Sequence, residues 1–307
     1  MRLSSAWRAG VLAVTTGAVC LGLVAPAYAY RAMPVPNWGV FKQCPVTGTL
    51  APAGSGKVQI CLHGVAMEGT INIGGLDTTF RGPGLVQGGT GSLGAAPSWA
   101  DALDGQSFSA PQQVLAKPVL AALGNPAGVV PPAQSQVYVV AQQAGPMAFG
   151  VVGDAIVTTV PLSFHLINPL VGPNCYVGTP NDPVVLNLTT GTSGALTGTL
   201  GTPNVARGAI LYTVGTEVVD GQFSTPGATG CGSGGVWDSA IDTNNGLPSA
   251  SGANEAILYG SFDLATARQV AHHLGDPPPA PAAYPGGFAQ MMAQVTGTGG
   301  SAQPFRR

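Results

Sequence analysis

The chain has 307 residues, of which only 8% are charged and 45% hydrophobic, with 46 glycines and 27 prolines. Eleven basic residues against thirteen acidic ones supply no basic patch to neutralise phosphates, which argues against a nucleic-acid partner. High apolar content with a small net charge argues against a disordered chain and for a compact, turn-dense fold.

The first 29 residues read as a cleavable secretory signal peptide. Arg2 and Arg8 form a positive n-region, Gly10 to Val24 an uncharged apolar h-region, and Ala27-Tyr28-Ala29 an A-x-A site, so cleavage is expected before Tyr30. The apolar run falls short of the roughly 20 residues of a membrane anchor and ends in small residues. Cys20 follows Gly17-Ala18-Val19, without the Leu three places back and the small residue directly before it that a lipid-bearing cysteine requires. Cleavage would remove both early arginines and change the net charge from −2 to −4. No later segment has the length and apolarity of a transmembrane helix. The expected location is extracellular, with attachment to the cell envelope as a variant of it.

Cleavage also removes Cys20 and leaves Cys44, Cys61, Cys175 and Cys231. An even number in an oxidising compartment reads as two disulfides. Of the three pairings, Cys44–Cys61 with Cys175–Cys231 is favoured, because each bond then closes a loop within one half of the chain. The spacings contain no C-x-x-C, which disfavours zinc.

Beyond the signal the dominant hydrophobic period is two. Val58, Ile60 and Leu62 alternate with Gln59, Cys61 and His63, and the pattern runs on through Ile71 and Ile73. The stretch Arg81 to Pro132 reads as a long loop, relieved by a helix from Gln112 to Leu123 that Pro118 interrupts. Gln136 to Ala141 is a strand candidate. In Ala155 to Ile167, the residues Ile156, Thr158, Val160, Leu162, Phe164 and Leu166 make one face, with a bend or edge position at Pro161. Pro183 to Thr190, Ala209 to Val219 and Glu255 to Phe262 complete the strands, separated by Gly74-Gly75, Gly88-Gly89, Asn181-Asp182-Pro183 and Asn245-Gly246. Asp263 is the expected cap of a helix carrying Leu264, Ala267, Ala271 and Leu274, stopped by Gly275. The expectation is a mainly antiparallel, sandwich-like β fold with a short C-terminal helix. Residues 30–154 form an N-terminal β-rich part with the loop insertion, 155–275 a C-terminal β-rich part, and 276–307 a Pro/Gly-rich tail.

Few residues offer chemistry. Gly232-Ser233-Gly234-Gly235 resembles the Ser-Gly-Gly of trypsin-like proteases, yet the Asp that precedes their serine is Gly232 here. A hydrolase would need Ser233 with His63 or His165 as base, itself oriented by an acid, and no G-x-S-x-G elbow occurs. His272-His273 suit the last turn of the expected helix but point about 100° apart, a poor chelate. Asp238 and Asp242, with Asn244, Asn245 and Gly246, resemble a calcium loop, but the sixth place from Asp242 is Leu247 and not Gly. Asn187-Leu188-Thr189 is a formal glycosylation sequon within a strand.

One segment resembles a group of secreted actinobacterial proteins of unknown function. It runs from His165-Leu166-Ile167-Asn168-Pro169-Leu170 through Asn174-Cys175-Tyr176-Val177-Gly178 to Pro183 and Thr192, then from Val219 to Gly232 and from Gly246 to Ala250. The resemblance covers about the C-terminal half of the mature chain. It implies export, a β-rich domain and a Cys175–Cys231 bond, and it brings no activity or catalytic residue. The function expected is therefore a secreted or envelope-associated, non-catalytic binding or structural protein, without cofactor. The alternatives are a serine hydrolase using Ser233, and an envelope pore or carrier for apolar compounds.

Overall fold

A computed structural model describes residues 37–46, 59–90, 99–115, 136–152, 155–190, 199–201 and 211–275. The expected signal peptide, the tail after Gly275 and most of the helix expected up to Leu123 lie outside the described residues. Fourteen strands form one antiparallel sheet. They are β1 (Ile60–Ile73), β2 (Leu76–Thr90), β3 (Trp99–Asp101), β4 (Phe108–Ser109), β5 (Gln113–Val114), β6 (Tyr138–Gln143) and β7 (Ala148–Val152). β8 (Ala155–Ile167), β9 (Tyr176–Val177), β10 (Val184–Thr190), β11 (Thr199–Gly201), β12 (Leu211–Asp220), β13 (Ala228–Thr229) and β14 (Glu255–Thr266) follow. The mainly antiparallel β class, the short C-terminal helix and both disulfides are as the sequence implies.

The sheet curls back on itself. From β8 the pairing runs through β10, β12, β14 and β1 to β2. On its other side β8 pairs with β6, and β6 with β5. A bridge between Thr78 of β2 and Leu115 just after β5 closes the circuit. Gln113 reinforces it: its Nε2 donates to the Arg81 carbonyl at 2.8 Å and its Oε1 accepts from the Arg81 N–H at 3.0 Å. The result is a barrel whose inward faces carry one hydrophobic core, and such closure removes the exposed edges of an open sheet. The parts 30–154 and 155–275 share this barrel, since β1 pairs with β14 and β6 with β8.

The alternation of β8 is realised residue by residue. Thr158, Val160, Leu162, Phe164 and Leu166 are all buried. Pro161 stands opposite Val185 of β10, while on the other side β7 pairs up to Thr159 and β6 from Leu162. The proline thus occupies the gap between two partner strands, where no ladder N–H is needed. The turn at Gly74-Gly75 joins β1 to β2 with Ile73 opposite Leu76, Gly74 taking φ 56°, as a two-residue hairpin demands.

Three expectations are corrected. Arg81 to Thr90 is no loop but the second half of β2, paired to β1 through a bulge near Met67. Its glycines serve close packing: a Cβ at Gly82 would run into the Ala66 carbonyl. Short strands β3, β4 and β5 occupy the following stretch, with Gln113–Val114 extended rather than helical. Asp263 caps no helix, because β14 stays paired to β1 as far as Thr266 opposite Ile60. The helix α2 (Ala267–Leu274) starts there, capped by the Thr266 hydroxyl accepting from the Gln269 N–H, and ends at Gly275 with φ 81°.

Two satellites hold the barrel. One end receives α1 (Asp238–Asn245): Ile241, Leu247 and Phe223 join the core beside Ile73 and Leu76, and the Gly75 N–H donates to the Asn245 carbonyl. Cys175–Cys231 ties this segment to the chain that follows β8. Outside β1 and β14, α2 and the segment around Phe41 form a second small core with Cys44–Cys61 inside it. The disulfides close loops with sequence separations of 17 and 56 residues, for which loop entropy gives about 3 and about 4 kcal/mol. Replacing Cys175 and Cys231 together by alanine is expected to lower the unfolding free energy by about 4 kcal/mol in urea titration, more than the same change at Cys44 and Cys61.

Candidate functional site

The residues singled out by sequence have local structural partners. Ser233 lies exposed in a short 3-10 segment, Ser233–Gly235. His165 stacks on Tyr176 at 4.5 Å, and its Nε2 lies 2.9 Å from the Pro173 carbonyl. The Nδ1 of His63 sits 3.4 Å from Oδ2 of Asp263, its opposite number on β14. No hydrogen bond joins Ser233 to either histidine among the described residues. His273 stacks on Trp38 at 4.1 Å, with His272 edge-on to it.

Asp238 and Asp242 hold the backbone of the segment before α1. Asp238 accepts from the N–H groups of Cys231 at 2.7 Å and Gly230 at 3.2 Å, one per oxygen. Asp242 accepts from the Ala228 N–H at 2.7 Å. Their carboxylates thereby satisfy donors that the turn leaves unpaired. Among the described residues no group of three or more His, Cys, Asp or Glu side chains is placed to hold a metal. Asp238→Ala is expected to cost about 2 kcal/mol, from two charge-assisted bonds lost. Differential scanning calorimetry of the wild type should give the same Tm with calcium and with chelator.

The sequence reading missed the cavity. Inside the barrel lies a space of about 740 Å³ counting its mouth, in which the centre of a water-sized sphere ranges over about 70 Å³. A single water needs about 10–15 Å³ on that measure, so the space takes a molecule of several heavy atoms. Glycines border it on three different strands, at Gly64, Gly84 and Gly260, the last packed so closely on β1 that a Cβ there would run into the Val65 carbonyl. Aromatic rings cover two of them. An ideal Cβ at Gly64 would stand 2.8 Å from the Phe262 ring, and one at Gly84 would stand 2.7 Å from that of Phe80. Val160, Leu186, Leu188 and Val218 complete an apolar wall, and among the described residues no charged side chain lines it. A smaller cavity of about 430 Å³ shares Ile71, Phe80, Ala110 and Ala141 with it, so the two adjoin. The only hint in the sequence was glycine at strand positions where a side chain would be expected to fill the core, a mark of close approach or of space.

At the wall, Tyr259 is half-exposed and its hydroxyl donates to Glu217. That bond, with burial and the Glu217 and Glu68 charges, holds its pKa above the ordinary 10.0. The phenol is therefore neutral throughout the physiological range. A raised pKa means that the bond's contribution is present below pH 10 and lost as pH rises through the folded value. In a spectrophotometric titration, Glu217→Gln is expected to lower the ionisation midpoint of this tyrosine.

No protein-family model, curated protein or solved structure matches the chain. What the geometry defines is a class: a closed, disulfide-bonded antiparallel barrel with an apolar cavity at its centre. Among the described residues no helix is long and apolar enough to cross a membrane.

Proposed function

We propose that the protein is an exported, non-catalytic carrier that holds a small apolar molecule inside its barrel. The observation that carries this reading is the central cavity, walled by Val160, Leu186, Leu188 and Val218 and bordered by Phe80 and Phe262. Pockets for small ligands are concave and mostly apolar, as this one is. Export is supported by the signal pattern of residues 1–29 and by two disulfides, which persist in oxidising compartments. The resemblance to secreted actinobacterial proteins agrees with it.

The distribution of polarity favours a carrier over a pore. A membrane barrel of the outer-membrane type is apolar outside and polar within. Here the inward residues are apolar, and Glu68, Asp77, Arg81, Asn187 and Glu255 stand away from the core as exposed or half-exposed residues. The hydrolase reading through Ser233 gains no support from the histidines, whose ring nitrogens face Pro173 and Asp263.

The test uses mature protein from culture medium, its N-terminus expected at Tyr30, titrated with octane while methyl resonances are followed by NMR. Saturable shifts are expected at Val160, Leu186 and Leu188. Ala141→Phe, which places a ring in the space shared by both cavities, should weaken binding at least tenfold, and Ser233→Ala should leave it unchanged. Absence of any shift at octane saturation removes the carrier reading. Ester hydrolysis abolished by Ser233→Ala would replace it with the hydrolase.

A further inference from the structure

The apolar wall contains a few polar side chains, and all but one of those with a hydrogen-bonding atom already use it. In the smaller cavity the Thr78 hydroxyl donates to the Val114 carbonyl at 3.3 Å, and both ends of the Gln113 amide bond to Arg81. Tyr259, at the edge of the larger cavity, is exposed, and its hydroxyl is engaged by Glu217. Thr158 is different. It is 3% exposed, it lines the larger cavity, and its Oγ1 has no hydrogen-bond partner among the described residues. Its place follows from the fold: it shares the inward face of β8 with Val160 and Leu162, opposite Leu188 of β10. A hydroxyl desolvated in this way costs free energy until something bonds to it.

We infer that Thr158 is the anchor for the polar end of the ligand, and that the ligand is an uncharged amphiphile with one hydrogen-bonding group and a short apolar body. This rests on the carrier reading above and specifies its ligand. The charge follows from the wall: with no charged side chain on it among the described residues, an ionised head would be buried without a counter-ion, which disfavours the charged form. A hydroxyl, ester or neutral acid head meets the Thr158 hydroxyl as donor or acceptor, since a threonine hydroxyl serves as either. The adjoining smaller cavity, reached past Ile71, Phe80, Ala110 and Ala141, gives the apolar body a direction in which to extend.

The test compares 1-octanol, octane and octanoate by NMR titration of the mature wild type, Thr158→Val and Thr158→Ser. Thr158→Val removes the hydroxyl and keeps the shape. It is expected to weaken octanol binding about 2- to 12-fold, the value of one neutral hydrogen bond, and to leave octane binding unchanged. Thr158→Ser should bind octanol as the wild type does. Octanoate should bind more tightly as pH falls towards its pKa. Thermal unfolding of ligand-free Thr158→Val should match or exceed the wild-type Tm. If Thr158→Val leaves octanol binding unchanged, or octanoate binds equally at all pH values, the anchor is overturned while the carrier stands. A Tm lowered by several degrees would also overturn it, by showing that the hydroxyl has a partner within the protein. Failure of both octane and octanol to bind the wild type overturns the carrier reading and this inference with it.

Discussion

A sheet with most of its large apolar residues on one side must hide that side, and this chain does so by curling until β2 meets β5. The contact is slight: one bridge from Thr78 to Leu115 and the paired bonds between Gln113 and Arg81. Yet the rest of the architecture depends on it. Closure puts β8, β10, β12, β14, β1 and β2 around one core, leaves α1 to cover an end, and fixes the inward parity of every long strand. A hydrophobic face that would drive association in an open sheet becomes the interior of a single chain.

Closure also explains why the interior is not solid. A barrel of few strands has just room for side chains within, and packing there is normally as dense as an organic crystal. In the cavity bordered by Phe80, Phe262, Val160 and Leu186 that density is not reached, although Phe262 and Phe80 fold over Gly64 and Gly84 and the backbone of β1 lies close on Gly260. The wall that results uses few polar groups. The same economy holds at Thr158, one methyl-sized hydroxyl on a face of Val and Leu.

Much of the frame was legible in sequence because a period of two is a strong signal when a face is buried. The inward face of β8 was readable from Thr158 to Leu166, and the cysteine pairing followed from setting Cys20 aside with the expected signal peptide and from loop closure within each half. Arg81 to Thr90 was misread because Gly82-Pro83-Gly84 and Gly88-Gly89 are turn-forming in isolation, whereas here cross-strand packing against β1 overrides local preference. Asp263 looked like a helix cap because capping is a local property, while strand length is set by the partner strand. The cavity was invisible for a related reason. It lies between residues up to about 200 positions apart, such as Gly64 and Phe262, and only the ladder register brings them together. The roles of Asp238 and Asp242 were equally hidden, since their acceptors serve backbone groups and not a motif.

The space inside the barrel has a mechanical side. Unfolding floods internal voids, so it shrinks the combined volume of protein and water, and compression favours the smaller total. A barrel with an apolar hollow of this kind is softer to hydrostatic pressure than its two disulfides would lead one to expect from heat alone. A molecule seated beside Thr158 would remove part of that volume change. Occupied and unoccupied barrels would then differ most in the pressure they withstand, even if their melting temperatures lay close together.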